Sequence, residues 1–226
     1  MAEQRVTKKE LQEPDFLQEY FSRIVQYAQE NRKVIAIVSF SFLGTILIAT
    51  GWFLFRMNYE NNAHRMYLKT YNHYLQVRSA VRETEAIKGY QELLKTYPSS
   101  RAAQIALYRL GNLYFQSKLY DEAMQAYRNF IDKSSSDGEL IVLAWSGLGY
   151  CQEAKKDYAG ALASFEKALK MKSGVLFEGI LYRDVARSYE QMNDMKNALE
   201  FYRKALSVTN DPSMTMILKQ KISMLS

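Results

Sequence analysis

From residue 84 onwards, the chain repeats one short pattern of small and aromatic residues four times. An alanine is followed four positions later by a ring, and successive alanines are 37, 38 and 37 residues apart: Ala86 with Tyr90, Ala123 with Tyr127, Ala161 with Phe165 and Ala198 with Tyr202. Positions four apart lie on one face of an α-helix. A pattern that recurs at a fixed period of this size indicates stacked supersecondary units.

A second pattern lies twelve residues before three of these alanines. It centres on Gly111, Gly149 and Ala186, in the segments YRLGNLY, WSGLGYC and YRDVARSY. Each unit is therefore predicted to contain two helices. A small residue where two helices cross lets their backbones approach, and the ring fills the adjoining gap. The chain from residue 67 is predicted to be an all-α solenoid of about four helix pairs.

These units resemble tetratricopeptide repeats. The third unit carries the resemblance most fully, through Trp145, Leu148, Gly149, Tyr158, Ala161, Phe165 and Ala168. The resemblance covers residues 67–208 and implies a domain of helical repeats, although the period is longer than the usual 34 residues. The segment DPSMTMILKQKISML after Asn210 begins with Asp and Pro, which is a typical helix start. We expect it to form a helix that caps the open end, so that the repeat domain spans 67–226.

The segment 34–55, VIAIVSFSFLGTILIATGWFLF, contains no charged residue and is bounded by Lys33 and Arg56. As a helix rising 1.5 Å per residue it is about 33 Å long, enough to cross a hydrocarbon core of about 30 Å. The apolar run is too long for a cleaved signal peptide, so a single transmembrane signal anchor is predicted. Residues 1–33 then form an N-terminal segment and 56–66 a helical connector. No Pro or Gly interrupts the chain between Trp52 and Ile87, so the membrane helix is expected to continue into the first repeat.

The N-terminal segment contains a strongly amphipathic stretch at 14–32. One stripe of it carries apolar residues, namely Leu17, Tyr20, Phe21, Ile24, Val25 and Ala28. Its polar face mixes Glu19, Arg23 and Glu30, so attraction to anionic lipid is weak. Packing at the membrane interface and packing on a protein partner both fit this pattern.

Composition argues against catalysis and against nucleic acid. The net charge of +6 is spread over all the repeats rather than gathered into a basic stripe. The single cysteine, Cys151, forbids an internal disulfide and is expected to be a buried, unreactive thiol. The two histidines, His64 and His73, fall on different helix faces, and no glycine-rich phosphate loop is present. We therefore expect no enzyme, no metal site and no cofactor.

A second resemblance concerns the arrangement of the whole chain. A short charged N-terminus, one span and four imperfect repeats in just over 200 residues resemble the YfgM-type family, ancillary subunits of the bacterial Sec translocon. This resemblance implies the bacterial cytoplasmic (inner) membrane, repeats in the periplasm, and as partners translocon subunits, exported chains or periplasmic chaperones. Arg32 and Lys33 before the span favour the same topology, with a cytoplasmic N-terminus. The alternatives are a scaffold for envelope assembly or cell division and an organelle-surface import receptor with cytosolic repeats.

Two sets of residues are candidates for partner contact. In tetratricopeptide repeats the first helices line a concave groove, so residues opposite each packed face are expected to point into it. These are Tyr108, Asn112, Phe115, Tyr150, Arg183 and Arg187. The rings would hold an extended chain and the arginines a carboxylate, or else the rings fill gaps between repeats. In the span, the small residues Ser41, Thr45 and Ala49 permit close contact with a second membrane helix.

Overall fold

The computed structural model describes residues 16–77, 81–134 and 138–226, and these residues form helices joined by short turns. The chain divides into two compact units, Met1–Met57 and Asn58–Ser226. The α-helices are α1 (Phe16–Glu30), α2 (Arg32–Gln76), α3 (Arg82–Thr96), α4 (Arg101–Gln116), α5 (Tyr120–Lys133), α6 (Glu139–Ala154), α7 (Tyr158–Lys170), α8 (Glu178–Gln191), α9 (Met195–Val208) and α10 (Pro212–Leu225). A 3₁₀ helix, Lys172–Phe177, precedes α8.

The second unit is a stack of helix pairs. The part of α2 from Asn58 pairs with α3, and α4 with α5, α6 with α7 and α8 with α9 follow, each pair packing on the next. Leu218 of α10 is fully buried against Ala198 and Tyr202 of α9, so α10 covers the end of the stack. The predicted all-α solenoid of four helix pairs and a capping helix is confirmed.

The repeated alanine, glycine and ring positions form the contacts between helices. Ala123 is fully buried, and Tyr127 four residues later is 3% exposed. A Cβ atom built on Gly111 of α4 would lie 2.5 Å from the Tyr127 ring, and one built on Gly147 of α6 would also lie 2.5 Å from it. The ring is therefore held between two glycines from successive units. Only a residue without a side chain leaves room for it at either place.

The turns within three of the pairs share one backbone conformation. Lys118, Lys156 and Asn193 have φ values of 60°, 64° and 62°, in the left-handed region that glycine usually occupies. In each turn the next amide donates to a carbonyl five residues back, as Leu119 does to Tyr114. The amide of the left-handed residue itself donates three residues back, as Lys118 does to Phe115 at 3.0 Å. Together the two crossed hydrogen bonds satisfy the last carbonyls of the first helix and turn the chain back for the second.

Acidic side chains begin three of the later helices. Asp157 accepts from the Gly160 amide and Asp194 from the Asn197 amide, at 2.9 and 3.1 Å. Asp211 accepts from the amide of Ser213 at 2.9 Å, directly before the proline that opens α10. Each carboxylate satisfies an amide that has no partner inside its helix, which fixes where the helix starts.

The first unit contains α1 and the beginning of α2. The predicted stripe on α1 is exposed at Tyr20, Phe21, Ile24 and Val25, whereas the side chain of Leu17 lies outside the described residues. Of the described helices, α2 is the one long and apolar enough to cross a membrane, by length and composition. Its most apolar 18-residue window has a mean hydropathy of 2.2 and no buried residue.

Candidate functional site

The first helices of the second and third pairs place four predicted groove residues in one pocket. Tyr108, Asn112 and Phe115 follow one another on α4 at helical spacing, and Tyr150 lies on α6. All four line a cavity of about 320 Å³, which we call the aromatic pocket. Its remaining wall includes Phe177, the last residue of the 3₁₀ helix, and Ile180 of α8, together with buried residues of α6.

The rings of the aromatic pocket also pack against the second helices. The Tyr108 ring lies 5.8 Å from that of Phe130, and the Tyr150 ring lies 5.2 Å from that of Phe165, between centroids. As a result all the predicted groove rings are half-buried. They line the aromatic pocket and also fill gaps between the two helices of their own pairs. Their role in a partner-binding groove stays a prediction.

Asn112 is held in a defined orientation. Its side-chain oxygen accepts a hydrogen bond from the Tyr127 hydroxyl at 2.6 Å, and Tyr127 is the ring clamped between the two glycines. In this orientation the Asn112 amide N–H groups are the free end of the side chain. Within the described ranges, neither N–H has a protein acceptor.

The two predicted arginines of α8 are paired within the chain. Arg187 binds Glu153 of α6 through two parallel hydrogen bonds of 2.5 and 2.8 Å, and it also contacts Asp184 at 2.9 Å. Arg183 binds the same oxygen of Asp184 at 2.8 Å. The bidentate carboxylate that was predicted for these arginines is therefore supplied by Glu153. A partner carboxylate would have to displace Glu153 to make the same two parallel bonds with Arg187.

Asp184 is a buried charge that the sequence analysis did not single out. It is 0% exposed, and the Tyr150 hydroxyl donates a hydrogen bond to its second carboxylate oxygen. Burial, together with the nearby Asp184 carboxylate, raises the pKa of Tyr150, so this phenol remains protonated and able to donate. The sequence did contain a signal for this buried charge. Asp184 stands one residue after Arg183 and three before Arg187, on the face of α8 that meets α6.

Arg109 was also missed, although it follows Tyr108 directly. It is half-buried at a second, smaller cavity of about 140 Å³, lined by Tyr71, Tyr74, Tyr90, Arg109, Asn112, Leu113 and Gln116. Its Nε donates to the Tyr67 hydroxyl at 3.3 Å, and its guanidinium carbon lies 5.0 Å from the centroid of the Tyr71 ring. We call this cavity the Arg109 pocket. It adjoins the aromatic pocket, because Asn112 lines both.

The predicted helix-contact residues of the span lie on the surface of α2. Ser41, Thr45 and Ala49 are all exposed, and the Thr45 hydroxyl donates to the Phe42 carbonyl at 2.7 Å. Their contact with a second membrane helix stays a prediction.

The part of the chain that the structure describes contains no group of three or more His, Cys, Asp or Glu residues placed to hold a metal ion. His73 instead lies 2.9 Å from Glu85 of α3. Cys151 is fully buried, and burial raises its pKa to about 12.

Comparison with known proteins identifies the architecture. The family model of the tetratricopeptide repeat-like domain matches residues 26–226. The uncharacterized protein ycf37 of Cyanophora paradoxa is 25% identical over 133 residues, which are 59% of this chain and 74% of that protein. Two solved structures of MamA superpose with TM-scores of 0.54 and 0.57, at 20% and 19% identity. They cover 64% and 72% of this chain, and 77% and 81% of theirs. At this identity the MamA structures share the fold.

Proposed function

Because the chain belongs to the family of tetratricopeptide repeat-like domains, whose members are generally non-enzymatic scaffolds for protein binding, we propose that it is a membrane-anchored adaptor. We propose further that it binds an extended or partly folded partner chain at the aromatic pocket. The observation that carries this proposal is the meeting of Tyr108, Phe115 and Tyr150 in one open pocket beside the oriented amide of Asn112.

The pocket has the chemistry that recognition of an extended chain needs. Half-buried rings give a bound apolar side chain a rigid surface, and they lose little rotamer freedom when the partner binds. Full burial of one large apolar side chain contributes about 1.5–3 kcal/mol. The free Asn112 amide adds a hydrogen-bond donor that a backbone carbonyl of the partner satisfies.

The membrane anchor is the second part of the proposal. The uncharged segment 34–55 lies within α2, contains no buried residue, and is long enough to span a bilayer. Arg32 and Lys33 at its start favour a cytoplasmic N-terminus. We propose the bacterial inner membrane as the location, with the repeats in the periplasm. There the adaptor would serve exported chains beside the translocon, together with periplasmic chaperones.

Site-specific photocrosslinking in cells tests the binding site. A benzophenone amino acid replaces Tyr108 in one variant and Gln125 in another. Gln125 is the matched control, because it lies on α5 of the same helix pair with its side chain exposed. We expect crosslinks to newly exported chains or translocon subunits from position 108 only. Equal crosslinking from position 125 would contradict binding at the aromatic pocket. Crosslinks from position 108 to envelope-assembly proteins would favour the alternative role as a scaffold for envelope assembly.

Topology is tested separately. A reporter that is active only outside the cytoplasm is fused after Ser226, and the protein is extracted from membranes with alkaline carbonate. We expect an active reporter and a protein that stays with the membrane. Deletion of 34–55 should release it. An inactive reporter would indicate that the repeats lie in the cytosol. Release of the intact chain by carbonate would show that 34–55 does not anchor the protein in the membrane.

A further inference from the structure

The turns between successive helix pairs share one edge of the repeat domain. Gln104 in the first turn of α4 donates to the Lys133 carbonyl at the end of α5, at 3.5 Å. A cavity of about 530 Å³ is lined by the beginnings of α4 and α6, the end of α5 and Ser173 of the 3₁₀ helix. A Cβ atom on Gly179 at the start of α8 would lie 3.7 Å from Val208 at the end of α9. We call this side of the domain the inter-repeat edge.

The chain enters the repeat domain at the inter-repeat edge. The Tyr59 hydroxyl accepts from the Ser99 amide at 3.3 Å, in the turn between α3 and α4. The Glu60 carboxylate accepts from the first amide of α4 at 3.0 Å. Tyr59 is four residues after Phe55, the last residue of the uncharged segment. Because four residues of chain reach at most about 14 Å in any conformation, a span at 34–55 brings this edge close to the membrane surface.

Two adjacent apolar side chains project from the same edge. Val175 and Leu176 of the 3₁₀ helix are 66% and 70% exposed. The residues on either side of them are fixed. A Cβ atom on Gly174 would lie 2.5 Å from the Ala168 carbonyl oxygen, and Phe177 packs on the buried cluster formed by α6, α7 and α8. The two packed ends of the segment therefore hold the apolar pair outward.

The charges that precede this pair are positive. The segment 167–177 contains Lys167, Lys170 and Lys172 and no acidic residue, and all three lysines are exposed. Glu178, the next residue, is half-buried. Exposed apolar side chains beside lysines suit the interface of a bilayer, because the apolar groups enter the acyl boundary while the ammonium groups contact lipid phosphates.

We propose that the inter-repeat edge docks on the bilayer in which the chain is anchored, with Val175 and Leu176 inserted at the level of the lipid headgroups. This inference rests on the proposed membrane anchor, and it adds a second contact with the same membrane. A span alone leaves the domain free to turn, whereas a second contact fixes which edge faces the lipid. Phe177 lines the aromatic pocket, so the pocket would then open close to the membrane surface.

Lipid quenching of a fluorescent probe tests the docking on the full-length protein in vesicles of phosphatidylethanolamine and phosphatidylglycerol. Leu176→Cys is labelled with the fluorophore NBD, and part of the lipid carries a nitroxide high on its acyl chain. Cys151 is fully buried, so the unsubstituted protein gives the background labelling. Leu119→Cys is the matched control, because Leu119 is also exposed and follows a lysine, in a turn at the other end of α4. We expect quenching at position 176 and none at position 119.

A second position separates docking of the domain from the affinity of the probe itself for lipid. Lys133→Cys places the label at an exposed site elsewhere on the inter-repeat edge. When Val175 and Leu176 are both replaced by Ser, the ratio of docked to undocked protein that this label reports should fall about tenfold, because two apolar side chains no longer enter the lipid. Leu119→Ser should leave the ratio unchanged. Urea unfolding should be unaffected by either change, because the replaced side chains are exposed.

Failure of the docking and failure of the anchor give different results. Equal quenching at positions 176 and 119, or no quenching at 176 in protein that resists carbonate extraction, would refute the docking and leave the anchor intact. Quenching at position 133 that ignores the two serines would also refute it. Shielding of position 176 that the nitroxide lipid does not quench, and that grows with the number of protein copies per vesicle, would assign the pair to a second copy. Release of the protein by carbonate would refute the anchor and the docking together.

Discussion

Gly149→Ala is the sharpest test of how the repeats are packed. The added Cβ would lie 2.6 Å from the Phe165 ring, whereas carbon atoms in contact are normally about 3.5–4.0 Å apart. The ring would have to retreat by about 1 Å. It is fully buried between Ala161 and Val185 and has Tyr150 at its edge, so it has little space to move. Overpacking of this kind costs about 1–3 kcal/mol, and the better helix propensity of alanine offsets about 1 kcal/mol. We expect a net loss of up to about 2 kcal/mol.

The matched control is Gly179→Ala, also a glycine within a helix of the repeat domain. There the nearest atom to the added Cβ is 3.6 Å away, an ordinary contact, so alanine should be neutral or stabilising by up to about 1 kcal/mol. The free energies come from urea unfolding of the full-length protein in detergent, followed by circular dichroism. Phe165→Leu replaces the ring by a smaller side chain. In the double variant, Gly149→Ala should therefore lower the free energy of unfolding by less than it does in the wild type. Equal stability of Gly149→Ala and Gly179→Ala would refute the packing model.

Three further predictions concern single side chains. Burial raises the pKa of Cys151 to about 12, so the thiol is protonated at neutral pH. The native protein should therefore resist iodoacetamide, whereas the urea-unfolded protein should react with it. Labelling of both forms at equal rates would contradict this prediction. Asp184→Asn removes the negative charge that compensates Arg183 and Arg187. It should lower the free energy of unfolding in urea by about 3 kcal/mol. An unchanged unfolding midpoint would show that the buried carboxylate is dispensable. Asp211→Ala removes the first hydrogen bond of α10 and should cost about 1 kcal/mol, whereas Ser213→Ala, which keeps that bond, should not.

The repeat architecture could be predicted from sequence because one packing solution recurs. Each pair needs a small residue where two helices cross and a ring beside it, so the pattern of Gly111 and Tyr127 is repeated at Gly149 and Phe165. Four repetitions in register exceed what chance produces. The helix pairs followed from this pattern, and the capping helix followed from the Asp and Pro that begin the segment after Asn210.

The side-chain pairing in the groove could not be predicted in the same way. The direction of Arg187 followed from helix periodicity, but its partner Glu153 is 34 residues away and is brought close only by the stacking of α6 and α8. Arg109 has no carboxylate at ion-pair distance among the residues that the structure describes, and no local pattern reveals this. The left-handed turns were hidden for another reason, since Lys118 and Lys156 stand where glycine would have been the signal.

The Tyr127 ring between Gly111 and Gly147 has a consequence for how such a protein diverges. The curvature of a repeat solenoid follows from the rotation between neighbouring units, and this ring lies where α4 and α6 meet. A substitution at this 3%-exposed position would therefore change the width of the aromatic pocket while leaving Tyr108 and Tyr150 unaltered. If partners bind at this pocket as proposed, their selection can change through a largely buried residue while the rings of Tyr108 and Tyr150 stay the same.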